Sequence, residues 1–345
     1  MLGPSIENRG GMAESEKVIL ENWKSNVFIL KHVVVHRDGS SLKKINTFFI
    51  GLLKFLYFLL IKRPVIIYIL VSVGVSFYRK SIFILIAKLF HKKIVINSRG
   101  GDFQSFYYKS QKLLKLYIKW ILSLADLNIV LAESEKKIFT QISVQSRCQV
   151  IHNSIKCPEE LKPTADKTMV VCTMSHLSRE KGTYDLLEAI PIITAEFPHL
   201  EFWLCGDGDY ERIKKILVNK RIEKNVRLLG YVDEKKRREV YLNSSIFVLP
   251  SYFEGMPRSL LEAMAYGLPS VTTRVNGIPD LLDDGVTGIL IEPGDINALA
   301  CNIIALLRND QTRYEMGRNA RLRVQENFDV DVKLAELERE LIKLL

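Results

Sequence analysis

Apolar residues along the chain gather in short runs separated by longer segments of helical period. In the first half the runs are VFILKHVVV, PVIIYIL, KIVINS and LNIVLA. Between them lie SFYRKSIFILIAKLF and QKLLKLYIKWILSLA, which read as helices. In the second half the runs are TMVVCTM, LEFWLCG, NVRLLG, IFVLP, PSVTT and GILIE. Strands alternating with helices predict parallel sheets covered by helices on both faces, an α/β fold. The polar stretch KCPEELKPTADK, residues 156–167, interrupts this pattern with two prolines and reads as a linker. At 345 residues the chain exceeds one ordinary domain, so a domain on each side of that linker is expected. Phe202 and Trp203 in LEFWLCG read as core residues.

One segment breaks the alternation. In INTFFIGLLKFLYFLLIKRP, residues 45–64, apolar side chains cover nearly every helical face, with Lys43 and Lys44 in front and Lys62 and Arg63 behind. The run is short for a membrane span. Two readings follow: a helix lying on a membrane surface with its lysines at the headgroups, or a helix buried against the sheet.

Charge sharpens the contrast between the halves. Residues 1–160 hold 24 Lys and Arg against 11 Asp and Glu, a net of +13, whereas residues 161–345 carry −3. The basic half either faces an anionic partner or presents a solvated lysine-bearing surface, and the apolar segment makes an anionic membrane surface the candidate partner. No aromatic-plus-basic binding motif accompanies the overall +10, so a nucleic-acid partner is not expected. The five cysteines form no CxxC pair and the six histidines no metal spacing, which implies reduced thiols and no metal site. MLGPSIENRGGMAE has neither the basic start nor the apolar core of a signal peptide, so a cytoplasmic protein is expected.

Open parallel sheets bind ligands where strands turn into helices at their carboxyl ends. Three loops of the second half carry suitable residues: SHLSREKG with Lys181 and Gly182, DGDY after LEFWLCG, and SYFEGM after IFVLP. The stretch SYFEGMPRSLLEAMAYGLPS places Glu254 in a loop and, with Pro257 as the first residue of a helix, Glu262 in its second turn. Carboxylates accept paired hydroxyl hydrogen bonds from a ribose diol or sugar ring, and the helix-start N–H groups near Ser259 and Leu260 suit phosphate. Two carboxylates with phosphate donors between them describe a nucleotide sugar.

These residues also carry a resemblance. SHLSREKG, WLCGDGDY, VRLLGYVDE, VLPSYFEGMPRSLLEAMAYGLPSVTT and NGIPDLLDDGVTGILIEPGD closely resemble the retaining glycosyltransferase family 4 of the GT-B fold. GPSIENRGGM, SFYRKS, RGGDF and LNIVLAESE resemble it more weakly. The resemblance implies two Rossmann-like domains whose parallel sheets face across a cleft. Residues 1–155 would bind the acceptor, 168–325 the nucleotide-sugar donor, and the helix of 326–345 would cross back to the first domain. It implies sugar transfer with retention at the anomeric carbon and no cofactor or metal, because basic groups and helix ends neutralise the diphosphate.

By the same resemblance, Glu262 holds the donor ribose, Glu254 the transferred sugar and Lys181 the diphosphate. Gly255 and Met256 offer N–H groups to sugar hydroxyls, Ser259 and Leu260 cap the distal phosphate, and Gly230, Tyr231 and Val232 lie beside the base. Gly10 and Gly11 form a loop over the phosphates. His176 stands where the family has an arginine, with Arg179 as the substitute. Arg99 stands where the family has a histidine, so it would stabilise charge rather than take a proton. MLGP begins where the family's opening strand ends, so that strand is expected to be cut short. Arg79 and Lys80 are candidates for an acceptor or lipid phosphate. The expected activity is extension of a lipid-linked glycan for cell-surface polysaccharide on the inner face of the membrane. The alternatives are a nucleotide-sugar epimerase or phosphorylase, or a non-catalytic partner in polysaccharide assembly.

Overall fold

The computed structural model describes every residue except 9, 144, 145 and 160–168, so most of the segment read as a linker lies outside the described residues. The chain forms two compact units, Met1–Ser154 with Val330–Leu345, and Ile155–Asp329.

The first unit alternates β1 (Leu2–Pro4), α1 (Gly11–Asn22), β2 (Val33–His36), α2 (Ser41–Tyr57), β3 (Ile66–Val71), α3 (Val75–Leu89), β4 (Lys93–Ser98), α4 (Phe103–Lys109), α5 (Lys112–Ser123), β5 (Leu127–Val130), α6 (Glu133–Ile142) and β6 (Cys148–Val150). Its strands form a parallel six-stranded sheet in the order β2-β1-β3-β4-β5-β6. β3 and β4 pair residue for residue from Ile66 and Lys93 to Val71 and Ser98. Their continuous apolar runs follow from burial on both faces. On one face Phe55, Phe83, Ile118 and Phe139 pack with Ile69 and Ile96. On the other, Ile19 of α1 packs with Tyr68, Leu70 and Val95.

Three readings of the sequence need correction here. Of VFILKHVVV only Val33–Val35 is strand, and β2 runs one residue past it to His36, because β1, its neighbour, offers just three residues to pair with. Phe28 and Leu30 pack instead as partly buried side chains beside Ile19 and Tyr68. β6, a three-residue strand, shows no periodicity and was not anticipated. The apolar segment fits neither alternative alone. α2 starts at Ser41, whose predecessor Ser40 caps it, and ends in a π-turn over Phe58–Lys62. It buries Gly51, Phe55 and Leu59 against the sheet while Phe49, Leu53 and Ile61 stay exposed.

The second unit alternates β7 (Val170–Met174), α7 (Thr183–Glu196), β8 (Glu201–Cys205), α8 (Tyr210–Lys220), β9 (Val226–Gly230), α9 (Glu234–Asn243), β10 (Ile246–Leu249), α10 (Arg258–Ala265), β11 (Ser270–Thr273), α11 (Ile278–Leu281), β12 (Ile289–Ile291), α12 (Ile296–Arg308) and α13 (Asp310–Asn327). A final helix, α14 (Val330–Ile342), belongs to the first unit, where Leu334 and Leu337 join the core around Ile19. The second sheet is also parallel and six-stranded, in the order β12-β11-β10-β7-β8-β9. Val171, Phe202, Leu204 and Val248 pack with Leu187, Ile190 and Ile303. Phe202 is fully buried, as expected, but Trp203 alternates to the opposite face of β8, where it is half-buried and its indole donates to Glu201 at 2.8 Å.

Candidate functional site

In the second sheet β7, β8 and β9 step in one direction and β10, β11 and β12 in the other, so the order reverses between β7 and β10. Such a switch opens a crevice at the carboxyl ends of the two strands. The loop after β7 brings Lys181 there, and the loop after β10 brings Glu254. Lys181 Nζ donates to Glu254 Oε1 at 2.7 Å and to the Phe253 carbonyl at 3.3 Å. One of the three ammonium N–H donors is thus left for a ligand. Ser251 Oγ also donates to Glu254 Oε1, at 2.8 Å, and Glu254 is 8% exposed.

Close backbone contact fixes this pairing. Gly182, at φ +65°, lies so near the chain after β10 that a Cβ would fall 1.9 Å from the Pro250 carbonyl oxygen. Only glycine permits both the left-handed conformation and that approach. The Tyr252 N–H donates back to the Glu180 carbonyl at 2.8 Å.

Pro257 is the N-cap of α10, one residue earlier than its expected place inside the helix. Ser259 and Leu260 therefore occupy the second and third helical positions, whose N–H groups have no intrahelical acceptor. Glu262, a turn further on, receives the Tyr241 hydroxyl at 3.2 Å and lies 3.5 Å from Arg237 Nε and 4.0 Å from Arg258 Nη2. The same Tyr241 hydroxyl reaches the Ser259 carbonyl at 3.2 Å. Burial, with Glu262 beside it, pushes the Tyr241 pKa well up, so the phenol stays a donor. Ser251 and Arg258 stand three and four residues before the glutamates they meet, whereas Tyr241 and Arg237 belong to no spacing visible in the sequence and only the fold places them against Glu262.

The remaining expected residues take varied positions. Gly230 ends β9 at φ +73°, its carbonyl accepting the Gly206 N–H at 2.8 Å; Tyr231 is exposed and Val232 buried. Gly255 has open space beside it, and Met256 is buried. Arg179 and His176 are both exposed in the loop that carries Lys181. Gly10 and Gly11 belong to the first unit, where Gly10 at φ +118° precedes the first residue of α1, Gly11, with open space beside both. Arg99, also in the first unit, is 6% exposed at the end of β4. Its Nε donates to Asn97 Oδ1 at 2.9 Å and its Nη1 to Asn153 Oδ1, and burial lowers its pKa. Among the described residues no cluster of His, Cys, Asp and Glu suits a metal ion.

Two parallel-sheet units of this kind, one of them with paired basic and acidic groups at its switch point, define a GT-B-type α/β protein. Residues 159–323 match the family model of the glycosyl transferases group 1. The amylovoran biosynthesis glycosyltransferase AmsK of Erwinia amylovora is 24% identical over 260 residues, 73% of this chain and 61% of that protein. The capsular polysaccharide biosynthesis glycosyltransferase CapM of Staphylococcus aureus is 27% identical over 185 residues, 53% of this chain and 48% of that protein. The chain thus spans about half to three-fifths of these relatives' length. In fold it is similar to Anabaena Alr3699/HepE, solved with UDP-glucose, with a TM-score of 0.78, 18% identity and coverage of 99% of this chain and 98% of that one.

Proposed function

We propose that the protein is a retaining glycosyltransferase that moves a sugar from a nucleoside diphosphate donor to a lipid-linked glycan in polysaccharide synthesis. The observation that carries this reading is the Lys181–Glu254 pair at the β7/β10 switch, beside the amino end of α10. There Lys181 and the Ser259 and Leu260 amides meet the diphosphate, and the charge that develops on the leaving group is met by donors already in place. Glu262 takes the ribose diol, held by Tyr241. Glu254 takes hydroxyls of the transferred sugar with the Gly255 and Met256 amides, while Gly230, Tyr231 and Val232 border the base. Arg179, exposed in the same loop as Lys181, adds a second cation for the phosphates. In the first unit, Gly10 and Gly11 form a glycine loop suited to phosphate, and Arg99 holds positive charge. The names of AmsK and CapM support a glycan acceptor, and the UDP-glucose complex of HepE supports a nucleotide-sugar donor.

A membrane-facing surface on the first unit supports the lipid-linked acceptor. From residue 39 to 125 the chain carries fifteen Lys and Arg against one acid, Asp102, so this stretch is strongly cationic. α2, α3 and α5 cover one face of the sheet, since side chains of all three meet in one core cluster. Their outward sides leave Phe49, Leu53, Ile61, Leu89, Leu113 and Trp120 exposed among these lysines. Apolar burial and attraction to anionic lipid, about 1 kcal/mol per basic residue, act together on such a surface. These features support a position on the inner face of the cell membrane.

The test is incubation of the full chain with a panel of nucleoside diphosphate sugars and polyprenyl diphosphate-linked acceptors, with products read by mass spectrometry and anomeric NMR. A glycosylated acceptor with the donor's anomeric configuration is expected. Free sugar, sugar phosphate or epimerised donor formed without acceptor would overturn the reading in favour of an epimerase or phosphorylase, and donor binding without any product would make the protein a non-catalytic partner.

A further inference from the structure

The first sheet also reverses its order, between β1 and β3, and three elements converge at the carboxyl edge there. His36 ends β2, Met12 lies on α1 after β1, and Arg79 and Lys80 lie on α3 after β3. Arg79 Nη1 is 3.1 Å from His36 Nδ1, and His36 Nε2 is 3.5 Å from Asp38 Oδ1. Burial, followed by the charge of Arg79, lowers the His36 pKa, so the neutral ring accepts at Nδ1 and fixes the guanidinium. That bond leaves Arg79 Nε buried with no hydrogen-bond partner.

Lys80 is the more unusual group. It is 1% exposed, and its ammonium meets the Met12 sulfur at 4.0 Å but, among the described residues, forms no ion pair with a carboxylate. A buried cation is stable only when paired and well hydrogen-bonded, and a thioether is a weak acceptor without charge. Burial, reinforced by Arg79 and opposed by Glu16, brings its pKa down to about 7. Two buried donors at the switch point, Arg79 Nε with no acceptor and Lys80 Nζ with only a thioether sulfur, are what an incoming anion would satisfy.

We propose that Arg79 and Lys80, oriented by His36, form an anion site in the first unit that takes a phosphate group of the acceptor. The proposal rests on the reading that the first unit receives the acceptor. Phosphate oxygens accept from Arg79 Nε and Lys80 Nζ, and the neutral lysine takes up a proton as the anion arrives. His36 is a positioning residue, since it acts through Arg79. The other charged groups around Lys80 and His36 are Glu16 on α1, Asp38 after β2 and Lys44 on α2. The phosphate could come from a lipid diphosphate or from a soluble sugar phosphate.

Isothermal titration of the full chain with sodium pyrophosphate at pH 8, in two buffers of different ionisation enthalpy, tests the site. Wild type is expected to bind with proton uptake. Arg79→Gln and Lys80→Met should each weaken binding at least 10-fold, and Lys80→Met should abolish the uptake. His36→Gln serves as the third variant if Lys80→Met does not fold, and should weaken binding less than Arg79→Gln. Unchanged affinity in Arg79→Gln, or loss of affinity in Lys181→Ala instead, overturns the proposal, the latter because the anion then sits in the second unit. Farnesyl diphosphate and glucose 1-phosphate as competitors separate the sources. Tighter competition by the first assigns a lipid diphosphate, and by the second a soluble phosphate. Binding lost with Arg79→Gln upholds the site even if no sugar transfer is found, whereas transfer without pyrophosphate binding removes the site and leaves the proposed function intact.

Discussion

Lys181 Nζ and Glu254 Oε1, 73 positions apart in the chain, meet at 2.7 Å where the order of the second sheet reverses. Their pairing joins the loop after β7 to the loop after β10. A donor phosphate must share Lys181 with Glu254, and a sugar hydroxyl must share Glu254 with Ser251.

Removing the cation exposes its role in turnover. Lys181→Ala is expected to lower kcat by about 10²–10³, the usual cost of losing one preorganised charge at a developing anion. Arg179→Ala should be impaired less, and His176→Ala should stay near wild type. Steady-state kinetics with saturating acceptor measure all three, and wild-type turnover in Lys181→Ala would refute the assignment.

The two glutamates should separate by kinetic parameter. Glu262→Ala loses charged hydrogen bonds worth about 1.5–3 kcal/mol, so donor affinity is expected to drop roughly 10- to 100-fold. Glu254→Ala should act mainly on kcat. Equilibrium binding of the nucleotide alongside turnover distinguishes them; equal effects on both parameters in both variants would contradict the division.

Gly182 is expected to be intolerant for a purely steric reason. In Gly182→Ala a Cβ 1.9 Å from the Pro250 carbonyl forces the two loops apart, on top of the strain of a left-handed alanine. The expected loss is about 2–4 kcal/mol. Thermal unfolding should show a transition lowered by several degrees, with Gly255→Ala, which meets open space, as the silent control.

The exposed outer surface of α2 and α5 predicts flotation with liposomes. The protein should rise with vesicles containing anionic lipid, less so at high salt, because screening weakens the lysine contribution. Phe49→Ser with Leu53→Ser should reduce flotation without unfolding the protein, since both side chains point away from the core. A wild type that stays at the bottom of the gradient with every lipid would show that the surface does not meet a membrane.

Lys80 makes a prediction for pH. Its folded-state pKa of about 7 lies below the ordinary value of 10.5. Between those values the unfolded chain binds the extra proton, so this group makes stability rise as pH increases through the window. Below about pH 7 both states are protonated and the burial penalty is borne in full. Denaturant titration should show a shallower rise between pH 7 and 10 in Lys80→Met than in wild type, and parallel curves would remove Lys80 as the cause.

The alternation of strand and helix runs was enough to reveal the α/β class, because a parallel strand buried on both faces must be apolar throughout and its crossover helix must carry an apolar stripe. KIVINS is β4 to the residue, and LNIVLA begins where β5 begins. Where a partner sets the outcome, local pattern fell short. VFILKHVVV is as apolar as β3, yet only the part facing three residues of β1 became strand. Trp203 looked like core, but strand alternation set it on the face opposite Phe202, half-buried with its indole bonded to Glu201.

The sequence by itself determined which loops carry lysine, glycine and glutamate, since E-x7-E and EKG are local spacings of a loop and the helix that follows it. Only the tertiary structure decided which groups meet. Lys181 finds Glu254, Tyr241 finds Glu262, and Lys80 is enclosed beside Met12. Those neighbours come from separate strands brought together by sheet order, and sheet order is set by burial of whole faces rather than by any short stretch of residues.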